Sequence, residues 1–387
     1  MIKKCLKSDG FTILELMVSI FITITIIASF YKLYEASLKT ERSSSIRVSV
    51  NLLGEQMLDA VAESIRMIGL NSQKSDLDAS YSDTTGTGTS LKGIFLQQTL
   101  TGIVGTAGTA TLKYLSPYGS PITKVSNIPT VGSNFPDGCK TVKLFNSAAF
   151  HKNVKQFNFH TQYGILTASA ASAEDGGENP SDAPSVVIRD NEIELQNLNF
   201  VTVPSGTSGK SCNDVLPAGT LVTGEDFIYT LKYTKTAGGE GSESSNSLVL
   251  SYANKDTPTT VAGTLINFQY NPSGNNNIYS MPHFVLQFLR EKKNADNTFT
   301  RTWVTSVNFA DLAEVIAVRF GFVILSKKER IYQGDGSPTG TGTALPKYCI
   351  FDETDCYELP NLNYTASVFR RVVYLANFRL LKDSTSM

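Results

Sequence analysis

The stretch that decides the fold is Phe11 to Tyr31, FTILELMVSIFITITIIASFY, 21 residues that carry one charge, Glu15. At ~1.5 Å rise per residue a helix of this length spans roughly 30 Å, one bilayer crossing. In front of it stands MIKKCLKSDG, whose Lys3, Lys4 and Lys7 hold that end in the cytoplasm, so the chain after Tyr31 lies on the outer side. A secretory signal peptide shares the basic start and apolar core but fits poorly. The apolar run is longer than a typical signal core, no small-residue cleavage site follows it, and an acidic residue lies near its start. A carboxylate in hydrocarbon costs a few kcal/mol on insertion scales, so Glu15 calls for a purpose and a partner.

Lys7-Ser8-Asp9-Gly10-Phe11-Thr12-Ile13-Leu14-Glu15 resembles the processing site of type IV prepilins and pseudopilins. The resemblance implies cleavage by prepilin peptidase between Gly10 and Phe11 and N-methylation of the new N-terminal Phe11. It makes Glu15 the fifth residue of the mature chain, an assembly residue whose carboxylate neutralises the α-amino group of a neighbouring subunit's Phe11 as helices bundle. N-terminal sequencing of the exported protein tests this: a start downstream of Tyr31 would refute it. Loss of residues 1–10 removes Cys5, three lysines and Asp9 and shifts the formal net charge from −1 to −3.

No proline precedes Pro117, so nothing obligatory stops the helix at the membrane surface. Ile46, Val50, Leu53, Met57, Val61, Ile65 and Ile68 recur at gaps of three and four and share about a third of the helix circumference. Glu55, Asp59, Glu63 and Arg66 fall opposite, where the acidic row reads as a solvated face partly relieved by Arg66. Leu52 projects onto that same face. Gly69 and Asn71 are C-cap signals, which predicts one helix from Phe11 to Leu70, about 90 Å long. Gly54 interrupts its amphipathic half and reads as neutral rather than as a site of close packing. The predicted organisation is a leader over 1–10, a transmembrane half over 11–31, an amphipathic half over 32–70 and a β-rich head over 71–387.

The 387 residues supply ample core, and with 18% charged residues and a net charge near zero there is no basic field to hold nucleic acid. Beyond Asn71 the chain alternates Thr/Gly/Ser-rich stretches, around 84–90, 102–109, 168–182, 237–246 and 334–343, with short β-type segments. The segments are Leu91–Leu100, Val154–His160, Phe227–Tyr233, Leu248–Tyr252, Leu265–Tyr270, Phe284–Arg290, Val315–Leu325 and Val368–Leu381. The fold class is therefore α+β, with the long N-terminal helix packed through Val50–Ile68 on a mainly antiparallel sheet. In Val315–Leu325 the even positions Ile316, Val318, Phe320, Phe322 and Ile324 form one apolar face, with Arg319 opposite.

Ala317-Val318-Arg319-Phe320-Gly321, the closing Phe369-Arg370-Arg371-Val372-Val373-Tyr374-Leu375-Ala376-Asn377-Phe378-Arg379 and Glu63-Ser64-Ile65-Arg66-Met67-Ile68-Gly69 resemble the matching elements of PilW-type minor pilins. The J-type pseudopilin of type II secretion shares the architecture, usually with a smaller head.

Outside the leader, Cys139, Cys212, Cys349 and Cys356 face an oxidising compartment, where disulfides are expected with three possible connectivities. Local pairing, Cys139 with Cys212 and Cys349 with Cys356, is the simplest. A zinc site lacks the C-x-x-C spacing and a neighbouring histidine, and no other metal or cofactor is expected. Pro204-Ser-Gly-Thr-Ser-Gly-Lys-Ser211 imitates a phosphate-binding loop, but Pro204 replaces its first glycine and Pro217 soon stops any helix, leaving a flexible loop. Asp352, Glu353 and Asp355 fit no EF-hand and read as a solvated turn. His151, His160 and His283 have no nucleophile or metal pattern around them and read as structural.

No motif supports an enzyme. The resemblance implies a minor pilin of a type IV pilus that primes assembly and sits in the tip complex. Its partners are then other minor and major pilins, the prepilin peptidase, the inner membrane and a large tip adhesin. The head would be periplasmic before assembly and in the pilus afterwards. The alternatives are a J-type pseudopilin and a head that is itself an adhesin.

Overall fold

The computed structural model describes residues 12–71, 80–82, 90–92, 97–101, 108–118, 122–128, 134–145, 156–169, 185–188, 192–201, 203–236, 245–254, 260–271, 279–305, 314–327, 346–359 and 364–376. In chain order these form α1 (Ile13–Arg66), β1 (Ser80–Ser82), β2 (Ser90–Lys92), β3 (Gln97–Thr101), β4 (Gly108–Ser116), β5 (Ile122–Asn127), β6 (Val142–Phe145), β7 (Gln156–Thr161) and β8 (Gly164–Ser169). There follow β9 (Ser185–Ile188), β10 (Glu192–Gln196), β11 (Asn199–Phe200), the single-turn α2 (Cys212–Val215), β12 (Leu221–Gly224), β13 (Phe227–Lys235), β14 (Asn246–Asn254) and β15 (Val261–Tyr270). The chain closes with β16 (Tyr279–Lys293), β17 (Phe299–Val304), β18 (Val315–Lys327), β19 (Lys347–Cys349), β20 (Cys356–Glu358) and β21 (Tyr364–Tyr374). The architecture is α+β, one long N-terminal helix on antiparallel sheets.

The helix α1 runs 54 residues without a break, about 80 Å. Its β-branched stretch FITITII lies fully inside it. It ends at Arg66 rather than Leu70, because Gly69 takes a left-handed φ of +80° and the last turns tighten onto Ile65 and Met67 carbonyls.

From Val50 onward the helix becomes a wall of the main core. Val50, Met57, Leu58, Val61, Ala62, Ile65 and Ile68 are buried there, with Ile46 and Leu53 packed at its margin. The other walls are a five-stranded sheet in the order β15-β14-β13-β4-β3 and a four-stranded sheet in the order β17-β16-β18-β21. Tyr114, Tyr229 and Tyr233 fill the first sheet's inner face, and Phe284, Phe320, Phe322 and Phe369 the second's. Each buried tyrosine hydroxyl finds a partner, as burial requires: Tyr114 with Ser64 of the helix, Tyr229 with the Tyr118 carbonyl, and Tyr233 with the Met281 carbonyl at 2.9 Å. The amide of Met281 donates to Asn246 Oδ1 at 2.8 Å, which with the Tyr233 bond ties the two sheets together.

Along β18 the alternation holds from Val318 to Ile324, all of which face the helix. Ile316 does not. A register shift between Leu289 and Arg290 leaves Ile316 out of the ladder, puts Val315 into the main core and turns Ile316 to the opposite side with Leu289, as a bulge does. That opposite side is also covered. The hairpin β19–β20 packs Ile350 and Leu359 on Val285, Val323 and Leu325, and the Arg319 guanidinium lies between Trp303 (4.5 Å) and Phe351 (4.6 Å).

Residues 122–224 form a second unit within the head. Strands β4 and β13 pair directly, Ser116 opposite Phe227 and Gly108 opposite Lys235, yet some hundred residues lie between them. That insertion builds its own eight-stranded antiparallel sheet in the order β11-β8-β7-β12-β5-β6-β10-β9. Its core, which includes Val125, Phe157, Phe159, Leu166, Ile193 and Leu195, is separate from the first.

Candidate functional site

The candidate assembly segment is the first part of α1. Gly10 and Phe11 lie outside the described residues. Thr12 caps the helix: its hydroxyl accepts from the Glu15 amide at 3.3 Å, and the Glu15 carboxylate reaches back to the Thr12 amide at 3.0 Å and its hydroxyl at 3.0 Å. This capping box satisfies two orphan donors of the first turn. It fixes the Glu15 carboxylate beside the start of the helix.

From Ile13 to Ser45 the helix extends past the described body by about 50 Å; Ile46 is the first residue packed against the core, and Val50 the first fully buried side chain. Large apolar residues project on every side, Leu14, Met17, Phe21, Ile24, Ile27 and Phe30 among them. The stretch is long and apolar enough to cross a membrane. Its hydroxyls are consistent with that setting. Ser19 donates to the Leu16 carbonyl (2.9 Å), Thr23 to Ser19 (2.7 Å), Thr25 to Phe21 (2.9 Å) and Ser29 to Thr25 (2.8 Å), so none needs water.

The other half of α1 is anchored by two devices. At Gly54 a methyl group would stand 2.6 Å from Phe369 Cδ1 and closer still to two other ring carbons. Gly54 is therefore a site of close packing, not a neutral position: the ring of β21 occupies the space of the missing side chain. One helical turn away, the Arg371 guanidinium bonds Asp59 and lies 3.3 Å from Glu55. The acidic row is thus not merely a solvated face. Two of its members hold the last strand, while Glu63 pairs with Arg66. Leu52 is 60% exposed.

Asn71, a C-cap signal in the sequence, serves a different purpose. It is buried at 7% exposure and bonds in three directions. Its amide donates to the Gly224 carbonyl at 3.0 Å and to Asp226 at 2.9 Å, while its oxygen meets His160 Nε2 at 3.1 Å and the Thr223 hydroxyl. The end of the helix is joined there to the inserted sheet. Burial holds the His160 imidazole down, to about 4, so it stays neutral in this junction.

Disulfides link Cys139 to Cys212 and Cys349 to Cys356. The first lies in the inserted core and the second closes the β19–β20 hairpin. The hairpin turn is solvated at Asp352 and Glu353, as the sequence suggests, but it is also tied to the sheet. Asp352 pairs with Arg319 at 3.2 Å, and Asp355, 6% exposed, accepts from Gln287 at 3.2 Å and bonds His283 through its carbonyl at 3.2 Å. Burial raises the Asp355 carboxyl and lowers the His283 imidazole. Among the described residues no group of three His, Cys, Asp or Glu is placed to hold a metal ion. His151 lies outside the described residues. The loop 204–211 is not a free loop either: Gly209 donates to the Phe135 carbonyl, Phe135 to the Lys210 carbonyl, and Lys210 reaches the Tyr163 hydroxyl at 2.8 Å. The amides of Thr207 and Lys210 bond within the loop, to the Pro204 and Thr207 carbonyls.

No family model matches this chain, and no characterised protein matches it by sequence. Among solved structures a type IV-like pilin from Thermus thermophilus is similar, at 9% identity over 59% of this chain and 87% of that one, with a TM-score of 0.19.

Proposed function

We propose that this chain is a non-catalytic subunit of a type IV pilin-like filament, a minor pilin of the PilW type that takes part in priming assembly and in the tip complex. The observation that carries the reading is α1 itself. One continuous helix has a first half that is apolar and without a partner among the described residues and a second half that is locked into the head by Val50–Ile68, Gly54 and Arg371. It needs a membrane or a bundle of like helices for the first half, and the Gly10–Phe11 processing motif with Glu15 at its mouth supplies the route from one to the other.

In this reading prepilin peptidase removes residues 1–10 and Phe11 is N-methylated. The chain waits as a single-pass inner-membrane protein with its head in the periplasm, and Glu15 then pairs with a neighbour's amine on extraction. Deletion of the gene followed by separate assays of surface pili and of secreted enzymes tests the assignment. Loss of pili with normal secretion is expected. Normal pili with lost secretion would replace the reading with a J-type pseudopilin, and normal pili with lost attachment would replace it with an adhesin.

A further inference from the structure

We infer that residues 122–224 form an autonomous module inserted into a complete filament subunit, and that α1 with the two body sheets carries the assembly role without it. Three observations converge. The strands that flank the insertion, β4 and β13, pair over their full lengths, so the body sheet is continuous across the gap. Among the described residues the two hydrophobic cores share none: none from 122–224 enters the first and none from outside it enters the second. The module also carries its own covalent staple, Cys139–Cys212, while the body has Cys349–Cys356. Two polypeptide crossings and the hydrogen bonds of Asn71 join them. A unit with its own core and its own cross-link opens separately from its neighbour.

The partition rests on the filament reading only for what the body does; that the two units fold independently stands without it. Trp303, the single tryptophan, is in β17 of the body and reports on that unit alone. In the full chain in detergent, urea unfolding is followed by Trp303 fluorescence and by amide exchange in β5, β7 and β12. Cys139→Ala with Cys212→Ala opens a 73-residue separation and is expected to raise exchange in the module by on the order of a hundredfold or more, with the Trp303 midpoint unchanged. A Trp303 midpoint that falls together with module protection would show one cooperative unit and overturn the inference.

A second variant removes residues 119–225 and joins Tyr118 to Asp226 through one glycine, leaving a four-residue hairpin loop between Ser116 and Phe227. It is expected to keep a native Trp303 signal, a cooperative transition and co-purification with the same pilins as the intact chain. An unfolded Trp303 signal, or pilins captured by the intact chain but not by the excised one, overturns the inference. If the intact chain captures none, the filament reading fails, while the two-unit unfolding stands or falls by itself.

Discussion

Replacing Gly54 with alanine sets two effects of opposite sign against each other. Helix propensity alone favours alanine at an interior position by about 1 kcal/mol. Packing opposes it, because the new methyl would lie 2.6 Å or less from three carbons of Phe369, and a carbon–carbon contact normally sits near 3.5 to 4.0 Å. The ring has little room to retreat: it is 5% exposed and packs on Phe322 with centroids 5.4 Å apart. Relief must then come from moving α1 off β21 or forcing the ring from its rotamer, changes that typically cost about 1–3 kcal/mol. The loss of the Arg371 contacts with Glu55 and Asp59 would add to that if the helix lifts. The net expectation is a loss of about 1–2 kcal/mol, read as a lower urea midpoint of the Trp303 transition at unchanged slope. In a Phe369→Leu background the same change should become neutral or stabilising, since the ring is gone and the propensity gain remains. A Gly54→Ala protein more stable than the parent by about 1 kcal/mol would refute the close-packing argument.

Three other outcomes are expected. Arg371→Ala should cost less than about 1 kcal/mol, because both carboxylates are more than half exposed, and the difference should shrink in high salt; equilibrium unfolding at two ionic strengths measures it. The module should weaken in acid. His160 titrates near 4 when folded and near 6.5 when unfolded, so its stabilising neutral form is fully effective above about pH 6.5 and is lost as the pH falls toward 4, by about 1–3 kcal/mol after allowance for partial exposure. Amide exchange in β7 and β12 as a function of pH reads this, and His160→Asn should flatten the acid limb. Glu15→Gln removes the charge while keeping the side-chain length, and should leave membrane insertion intact but abolish incorporation into filaments, scored by immunoblot of sheared filaments against the membrane fraction.

The helix was legible in the sequence because its two signals are strong and act over long spans: a 21-residue apolar run and seven apolar positions at helical spacing. The packed face of β18 was legible for the same reason up to Val318, and failed at Ile316 because a bulge is a property of the pair, set where Leu289 and Arg290 shift register against it. The insertion escaped notice because its strands are short and mix apolar with charged residues, as ITKVSN in β5, VKLF in β6 and EIELQ in β10 do. Each reads as a turn with a few apolar residues until partners as remote as Leu221, opposite Lys124, complete the sheet. Gly54, Arg371 and Asn71 share a second kind of illegibility. Each is an ordinary surface, capping or spacer residue by itself, and its meaning lies in Phe369, Asp59 or Gly224, which no local pattern connects to it.

The closed hydroxyls of the first half of α1 have a consequence for how such a helix changes surroundings. Ser19, Thr23, Thr25 and Ser29 spend their donors on carbonyls of their own helix, so the segment carries its polar bookkeeping with it and presents only hydrocarbon to whatever lies beside it. Passage from lipid to a packing of other helices then exchanges one apolar medium for another, with no bond to break on leaving and none to find on arrival. Glu15 is the one charged residue of the stretch Phe11 to Tyr31, and its carboxylate is the group for which two such media differ most. In the filament reading, the difference between a stored and an assembled subunit would then be set in the first turn.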